Sequence, residues 1–548
     1  MTIKLTKAMS TYLYRPLTIF STLDTDVDRV LPHLFEACVK GGRSARFLTN
    51  ERDYAGYRDR LLNGEHMTGF NSPDARELMD GWLRSCIVDM GTVGKAHNDE
   101  QMLSVAPLTL AAYRAGVPRT RTRHRHIDDF AYQLLRTQVA RRTAGNPTGE
   151  LRRLIAEHIG HGLGIGHEPK WQPELIDPSK LDISALLEFR FLEGFEMGDA
   201  REFKQESQVP NPLPGVTGRL GEMLLAHLLA YANRLPTAAL MSTFAGLLAL
   251  GVFTLTLRVN AAGRELLRTG TPPADMIEDR PKSPIELYCD FTGGINDDSD
   301  RLSRLCVERD LNQIRLTFRD RMTLMIVELA VQRIPDERER REALSDPDKL
   351  AQLAELREHD VIEMFAMSQL YDIAAINQRT AEHISEDEAD FLDRTQHSDK
   401  SELNKLLDVL EFVNQDRATS NAVGWFRSVG GLRKPYGILT GSSNSRRSWR
   451  YAPTDELLQI LLMTVFVRPD MSVRPTISLK DLLRELRDRF GILVDSPPAF
   501  LDGAEARAAA AANLAAFKRR LQLLGCFDSL SDDFSEQIVR HPLGDRDA

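Results

Sequence analysis

Cysteine is scarce in this chain, and none of its five cysteines lies in a CxxC pair. This pattern excludes a disulfide-rich secreted fold and a zinc finger, and it favours a reducing compartment. The N-terminus carries no continuous apolar stretch followed by a small-residue cleavage site, so the sequence predicts no secretion signal. We therefore expect a cytoplasmic protein.

The motifs of common enzyme families are also absent from the sequence. It contains no Walker A loop, no GxGxxG loop, no GxSxG elbow, no kinase signature and no HxE with a downstream PCxxC. We therefore expect no nucleotide hydrolysis, kinase, α/β-hydrolase or deaminase chemistry. A non-catalytic role with no firmly assigned cofactor is the leading interpretation.

Composition and charge are those of a soluble globular protein. The chain is 42% apolar and 27% charged, which excludes wholesale disorder. The net charge is −9, so any nucleic-acid contact must come from a local basic patch. Arginines number 56 against 14 lysines, and the planar guanidinium suits bidentate phosphate contacts.

At 548 residues, the length predicts several domains. Changes in composition divide the chain into an α-rich region (1–180), a helical region (181–282), a charged helical region (283–423) and a last region (424–548). The first region includes a strongly basic loop at 118–126, PRTRTRHRH. We expect a mainly α, multidomain protein with a few short strands.

A run of 21 residues at 237–257 has no charged side chain. That length could cross a bilayer. However, it contains five Ser or Thr residues and two glycines, and it lacks an aromatic belt or a flanking positive cluster. These features favour the core helix of a soluble domain, with membrane association as the alternative.

The last region has the element order of a winged helix. Residues 436–440 and 448–451 read as two strands of a β-hairpin. Three helices follow, and their starts are marked by Thr454, by the capping box at Ser478 and by Asp502. A second hairpin closes the region. The third helix carries three adjacent basic residues that we take as candidate DNA ligands, Lys518, Arg519 and Arg520.

A second basic cluster precedes these helices, in a segment without acidic residues at 424–451. Its cations are candidate phosphate ligands: Arg427, Arg433, Lys434, Arg446, Arg447 and Arg450. Four aromatic residues alternate with them: Trp425, Phe426, Tyr436 and Trp449. These rings either stack on bases or form a core beneath the hairpin.

A histidine-rich string at 156–168, AEHIGHGLGIGHE, resembles the HxxGxxH half of the metzincin zinc motif. Its candidate metal ligands are Glu157, His161 and His167, a set that suits zinc or iron. The first half departs from the motif, because His158 follows Glu157 instead of preceding it. Met197 stands at a distance that could supply a methionine turn. The alternative is a helix that ends in a glycine-rich cap with histidines near its negative end.

A strand followed by an acidic turn is predicted at 284–300, PIELYCDFTGGINDDSD. Carboxylates after a strand can build a metal or phosphate site. Without a nucleotide motif, we expect these aspartates to be turn and N-cap residues of a helix that starts near Asp300.

The chain resembles the accessory subunits of bacterial multigene anti-phage defence systems of the methylation-associated type. The segments that carry the resemblance are YGILTGSSNSRRSWRYAPTDELLQILL at 436–462 and the CDFTGG turn at 289–294. The resemblance implies a protein that works beside a DNA methyltransferase and nucleotide-driven partners to recognise or restrict invading DNA. It does not imply that this chain itself cuts DNA.

Three functional hypotheses therefore stay open. The first is a non-catalytic subunit that binds DNA or other subunits of a defence complex. The second is a metal-dependent hydrolase centred on the histidine string, and the third is a membrane-associated protein. The first accounts for most of the sequence features.

Overall fold

The computed structural model describes residues 3–11, 13–17, 25, 27, 30–42, 55–56, 59, 72–82, 110, 126–169, 171–181, 185–186, 209–277, 285–379, 385–527 and 537–544. In these residues the protein is mainly helical with a few short strands, as the sequence predicts. The basic loop at 118–126 lies outside the described residues except for His126.

Four helices and one strand pair are described in the first region. They are α1 (Val30–Val39), α2 (Pro73–Trp82), α3 (Ile127–Ala140), α4 (Pro147–His158), β1 (Leu163–Ile165) and β2 (Trp171–Ile176). The two strands pair antiparallel. Helix α4 begins where the sequence provides a cap, because the Asn146 side chain accepts a hydrogen bond from the backbone of Thr148.

The second region forms the centre of the fold. Its helices are α5 (Pro214–Tyr231), α6 (Thr237–Thr269) and α7 (Ala274–Ile277). Helix α6 packs against α1 and α5 and extends well beyond the charge-free run. It is the one helix in the described residues that is long and apolar enough to cross a membrane, and most of its apolar window is buried inside the protein. This burial favours the core-helix interpretation.

The third region is a set of helices that follow one short strand. They are β3 (Leu287–Tyr288), α8 (Asp298–Val331), α9 (Pro335–Glu342), α10 (Asp346–Glu355), α11 (Asp360–Arg379), α12 (Glu386–Gln396) and α13 (Glu402–Val429). Serines mark several of the helix starts: Ser345, Ser385 and Ser401 each accept a backbone hydrogen bond from the third residue of the following helix. Helix α8 packs on α6, α11 and α13.

The last region alternates short strands with three helices. Its elements are β4 (Leu439–Thr440), β5 (Arg450–Tyr451), α14 (Asp455–Phe466), β6 (Thr476–Ser478), α15 (Leu479–Phe490), β7 (Ile492–Leu493), α16 (Ala504–Leu523) and β8 (Ile538–Arg540). Strands β4 and β5 pair antiparallel, as do β6 and β8. Phe527 also bridges to Val539 of β8. The predicted caps Thr454 and Ser478 are confirmed.

Two sets of contacts join the last region to the third and to the second. Strand β3 pairs in parallel with β7, about two hundred residues further along the chain. The ring of Phe253 on α6 packs against three rings of the last region, Trp425, Phe426 and Tyr451. The sequence-derived boundary at residue 424 falls inside α13.

Candidate nucleic-acid interface

The basic segment begins at the end of α13, where a glycine turn reverses the chain. Gly431 has a φ of +71°, and a Cβ added there would lie 2.7 Å from the Cα of Gly437. Only glycine fits this left-handed, crowded position. The backbone N–H of Leu439 donates to the carbonyl of Gly430 at 2.9 Å, so β4 starts directly against the helix end.

The aromatic residues of the segment are internal. Trp425 and Phe426 are fully buried, and Trp449 is 2% exposed. The ring of Trp425 stacks on Phe253 with centroids 5.5 Å apart, and the indole N–H of Trp449 donates to the carbonyl of Ser442 at 2.8 Å. The core interpretation is therefore confirmed for these rings, which are not available to stack on bases.

Four of the six candidate cations are exposed: Arg427, Arg433, Arg446 and Arg447. Arg446 and Arg447 share a 3₁₀ turn, Arg446–Ser448, in the loop between β4 and β5. Arg427 lies in the last turn of α13, and Arg433 follows in the glycine turn. Lys434 is half-buried and has a partner of its own.

Arg450 differs from these residues because its side chain points into the protein. Its Nε lies 3.7 Å from Oδ2 of Asp290, and its Nη1 lies 3.4 Å from Oδ1 of Asp300. Both carboxylates are fully buried, whereas the Arg450 side chain is 16% exposed. The turn after β3 covers this edge of β5, since the N–H of Asp290 donates to the carbonyl of Tyr451 at 2.8 Å. Arg450 thus compensates buried negative charge, a role the sequence analysis missed.

The acidic turn itself is built as a helix start. Asp297 is the N-cap of α8 and accepts from the N–H of Asp300 at 2.7 Å. Oδ1 of Asp290 accepts from the hydroxyls of Ser299 and Thr292 at 2.7 and 2.8 Å. The prediction of turn and N-cap aspartates is therefore confirmed.

The three basic residues of α16 have different environments. Arg520 donates to Oδ1 of Asp455 at 2.5 Å, which joins α16 to the first turn of α14. Lys518 is half-buried with a partner of its own, whereas Arg519 is exposed. The rest of the exposed side of α16 is rich in alanine, at Ala504, Ala508, Ala511, Ala512 and Ala515.

The histidine string forms a helix end and a tight strand pair. Helix α4 ends at His158, and Gly162 and Gly164, with φ of +74° and +73°, lead the chain into and through β1. Burial lowers the pKa of His158. Glu157 forms an ion pair with Arg153. These features match the glycine-capped alternative.

The candidate metal ligands Glu157, His161 and His167 are all exposed. The described residues contain no group of three His, Cys, Asp or Glu side chains placed to hold a metal ion. The structure therefore does not bring these three side chains together. Met197, the candidate methionine turn, lies outside the described residues.

A comparison with known protein families shows which family this chain belongs to. The family model described as methylation-associated defense system protein MAD7 matches residues 9–543, which is nearly the whole chain. The chain belongs to this family. The resemblance to defence-system accessory proteins is therefore confirmed. No curated protein and no solved structure matches the sequence.

This MAD7-family chain also has a cavity of about 370 Å³ between α5, α6 and the last region. Its lining combines apolar side chains with seven charged ones, the four arginines Arg219, Arg258, Arg468 and Arg489 and the three acids Glu222, Glu485 and Asp488. Arg258 is buried against Asp275, 3.1 Å away, and Arg489 pairs with Glu485 at 2.6 Å. The balance of charge favours neither an anionic nor a cationic ligand.

Proposed function

We propose that this protein is a non-catalytic, DNA-binding subunit of a methylation-associated defence system, and that its basic segment binds the DNA backbone. The observation that carries the proposal is the exposure of Arg427, Arg433, Arg446 and Arg447 in a segment without acidic residues. Guanidinium groups pair with phosphates in bidentate geometry and release counterions when they bind.

The element order of the last region supports a winged-helix-like module next to these arginines. Helix α14 is followed by β6, α15, β7 and α16, and β8 then pairs with β6 while Phe527 bridges to Val539. In helix-turn-helix proteins the recognition helix enters the major groove, and neighbouring elements contact the backbone. In this arrangement α16 occupies the position of the recognition helix.

The side chains of α16 do not favour sequence readout. Alanine methyl groups can contact a thymine methyl but donate no hydrogen bond to a base edge. Of the three candidate ligands, Arg520 is committed to Asp455, and Arg519 is the exposed one. We therefore propose that most DNA contacts are made to phosphates, which position a protein without specifying sequence.

The expected partners follow from the family. A subunit without an intact catalytic motif would act beside the DNA methyltransferase and nucleotide-driven partners of its system. Its contribution is to hold DNA while those partners modify or restrict it. We propose a cytoplasmic location, because DNA and these partners are found there.

The test is the affinity of the full chain for two DNA duplexes of unrelated sequence, measured by fluorescence anisotropy at fixed salt. We expect the Arg446→Ala/Arg447→Ala double variant to bind both duplexes about tenfold more weakly. The matched control is Arg268→Ala/Arg394→Ala, which removes two exposed, locally paired arginines and the same net charge. Equal affinity of the wild type and the first double variant would contradict the proposal.

A further inference from the structure

Helix α11 exposes a row of large apolar side chains. Met364, Met367 and Tyr371 are 57, 55 and 75% exposed. They lie at positions i, i+3 and i+7, so they share one face of the helix. The opposite face is packed on α8 and α13 through Ile362 and Phe365. Because that face is fixed in the core, the helix cannot rotate to bury the row.

This pattern is typical of a helix-docking surface. A surface helix ordinarily places its apolar stripe toward the core and polar residues toward solvent. Here α11 has an apolar stripe on each side, and the outer one continues into the half-exposed Ala374 and Ala375. Methionine side chains adapt to varied partners because they are unbranched and flexible.

The borders of the outer stripe are acidic. Asp360 at the start of the helix and Asp372 beside the row are exposed, whereas Glu363, on the other side of the row, is turned toward the backbone N–H of Glu402. The one basic residue of the helix, Arg379, lies in its last turn. A second copy of this chain would bring acidic borders against acidic borders, whereas a helix with basic borders would be electrostatically complementary.

We propose that this face of α11 binds an amphipathic helix of another subunit of the same defence system. That helix would carry apolar residues at i, i+3 or i+4 and i+7, flanked by Lys or Arg. The proposal goes beyond DNA binding and does not depend on it.

The first turn of α11 lies far from Arg427, which belongs to the proposed DNA surface. The carboxylate of Glu363 accepts from the N–H of Glu402, so the first turn of α11 contacts the first turn of α13. Arg427 lies at the other end of α13, 25 residues later, a separation of about 38 Å at 1.5 Å per residue. A partner helix bound at the start of α11 would therefore lie away from Arg427.

The test is whether the full chain binds any other subunit of its defence system. Each subunit is first co-expressed with the chain, and the affinity is then measured with the purified proteins. We expect Tyr371→Lys and Asp372→Lys each to weaken one such complex at least tenfold, because the first places a charge in the apolar stripe and the second repels the basic border. Met367→Leu should bind as the wild type does. The matched control is Leu523→Lys, which changes an 81% exposed apolar residue on α16.

A photo-crosslinking residue at position 367 should link to a partner helix with the apolar and basic pattern described. DNA affinity should be unchanged in Tyr371→Lys, which separates this proposal from the DNA-binding one. Three results would overturn it: no binding of the wild type to any of these subunits, unchanged binding of both lysine variants, or self-association of the wild type that Tyr371→Lys abolishes.

Discussion

At the scale of single residues, burial decides which charges are structural and which are available. Arg450 and Arg447 are three positions apart in a basic segment, yet one faces two buried carboxylates and the other faces solvent. A buried carboxylate that loses its counter-ion is left uncompensated in a medium of low dielectric constant. The two arginines should therefore respond differently to substitution.

We expect Arg450→Ala to lower the free energy of unfolding by about 3 kcal/mol, because buried Asp290 loses its cation while Asp300 keeps only its ion pair with Arg304. Arg447→Ala should change it by less than about 0.5 kcal/mol, as is usual for exposed positions. Urea denaturation followed by circular dichroism measures both. Equal midpoints for the two variants would show that Arg450 has no compensating role.

A buried histidine should make stability depend on pH. The ring of His541 packs against Phe466, and its Nε2 lies 2.8 Å from the hydroxyl of Tyr231. Burial, together with the nearby charge of Arg234, lowers the pKa of His541 to about 4. The unfolded chain takes up this proton near pH 6.5, so it binds more protons than the folded chain between pH 6.5 and about 4.

We therefore expect the free energy of unfolding to be fully retained above pH 6.5 and to fall as the pH drops from 6.5 toward 4. Burial also lowers the pKa of His227, to about 3, so His227 contributes over the same range. His541→Gln, whose side-chain amide can still donate to the hydroxyl oxygen of Tyr231, should lose part of this dependence. Denaturation midpoints at pH 7.5 and 5 measure it, and the same pH dependence in both proteins would refute the assignment.

At the scale of elements, Asn513 of α16 binds the ends of β3 and β7, the strand pair that links the third region to the last one. Its amide donates to the carbonyls of Cys289 and Val494 at 2.9 and 3.0 Å, and its carbonyl accepts from the N–H of Phe291 at 2.7 Å. All three partners are backbone groups that flank β3 and β7. The side chain therefore fixes both strand ends to the helix.

Replacing Asn513 with alanine should cost about 3 kcal/mol or more, because buried backbone groups lose their hydrogen bonds. Ala512→Ser, at the exposed neighbouring position, serves as the control and should be nearly neutral. Thermal unfolding of both variants measures the difference. A neutral Asn513→Ala would mean that water or a rearranged side chain satisfies those groups.

The sequence predicts the elements whose signals are local. Thr454 and Ser478 mark helix starts because each side-chain oxygen accepts from the backbone N–H three residues later, an interaction within one short stretch of sequence. The uncharged run in α6 likewise indicates burial from the residues of the helix alone. No local signal predicts the pairing of β3 with β7. Each strand has two residues, and the two strands are brought together by the packing of the helices that lie between them in the chain.

The candidate site was predictable only in part. The absence of acids at 424–451 is visible in the sequence, and four of its six cations are exposed. The burial of Trp425, Trp449 and Arg450 depends on α6 and on the turn after β3, both distant in the chain. Sequence spacing alone cannot show which side chains of a basic segment face those elements.

At the scale of the whole molecule, the last region depends on the others for its core. Strand β7 takes its partner from β3, and Trp425 and Phe426 pack on Phe253 of α6. We therefore expect residues 424–548, expressed alone, to lack a cooperative unfolding transition and to show poorly dispersed amide signals. A well-dispersed spectrum with cooperative unfolding would show instead that this region folds independently.

The exposed arginines of the basic segment are proposed to bind DNA phosphates. The most direct test is the salt dependence of duplex affinity for the full chain and for Arg446→Ala/Arg447→Ala. Each phosphate contact contributes about 0.9 to the slope of log affinity against log salt, so the slope should fall in magnitude by about 1.8 in the double variant. Identical slopes, or binding of the wild type that does not depend on salt, would show that these arginines do not bind DNA phosphates.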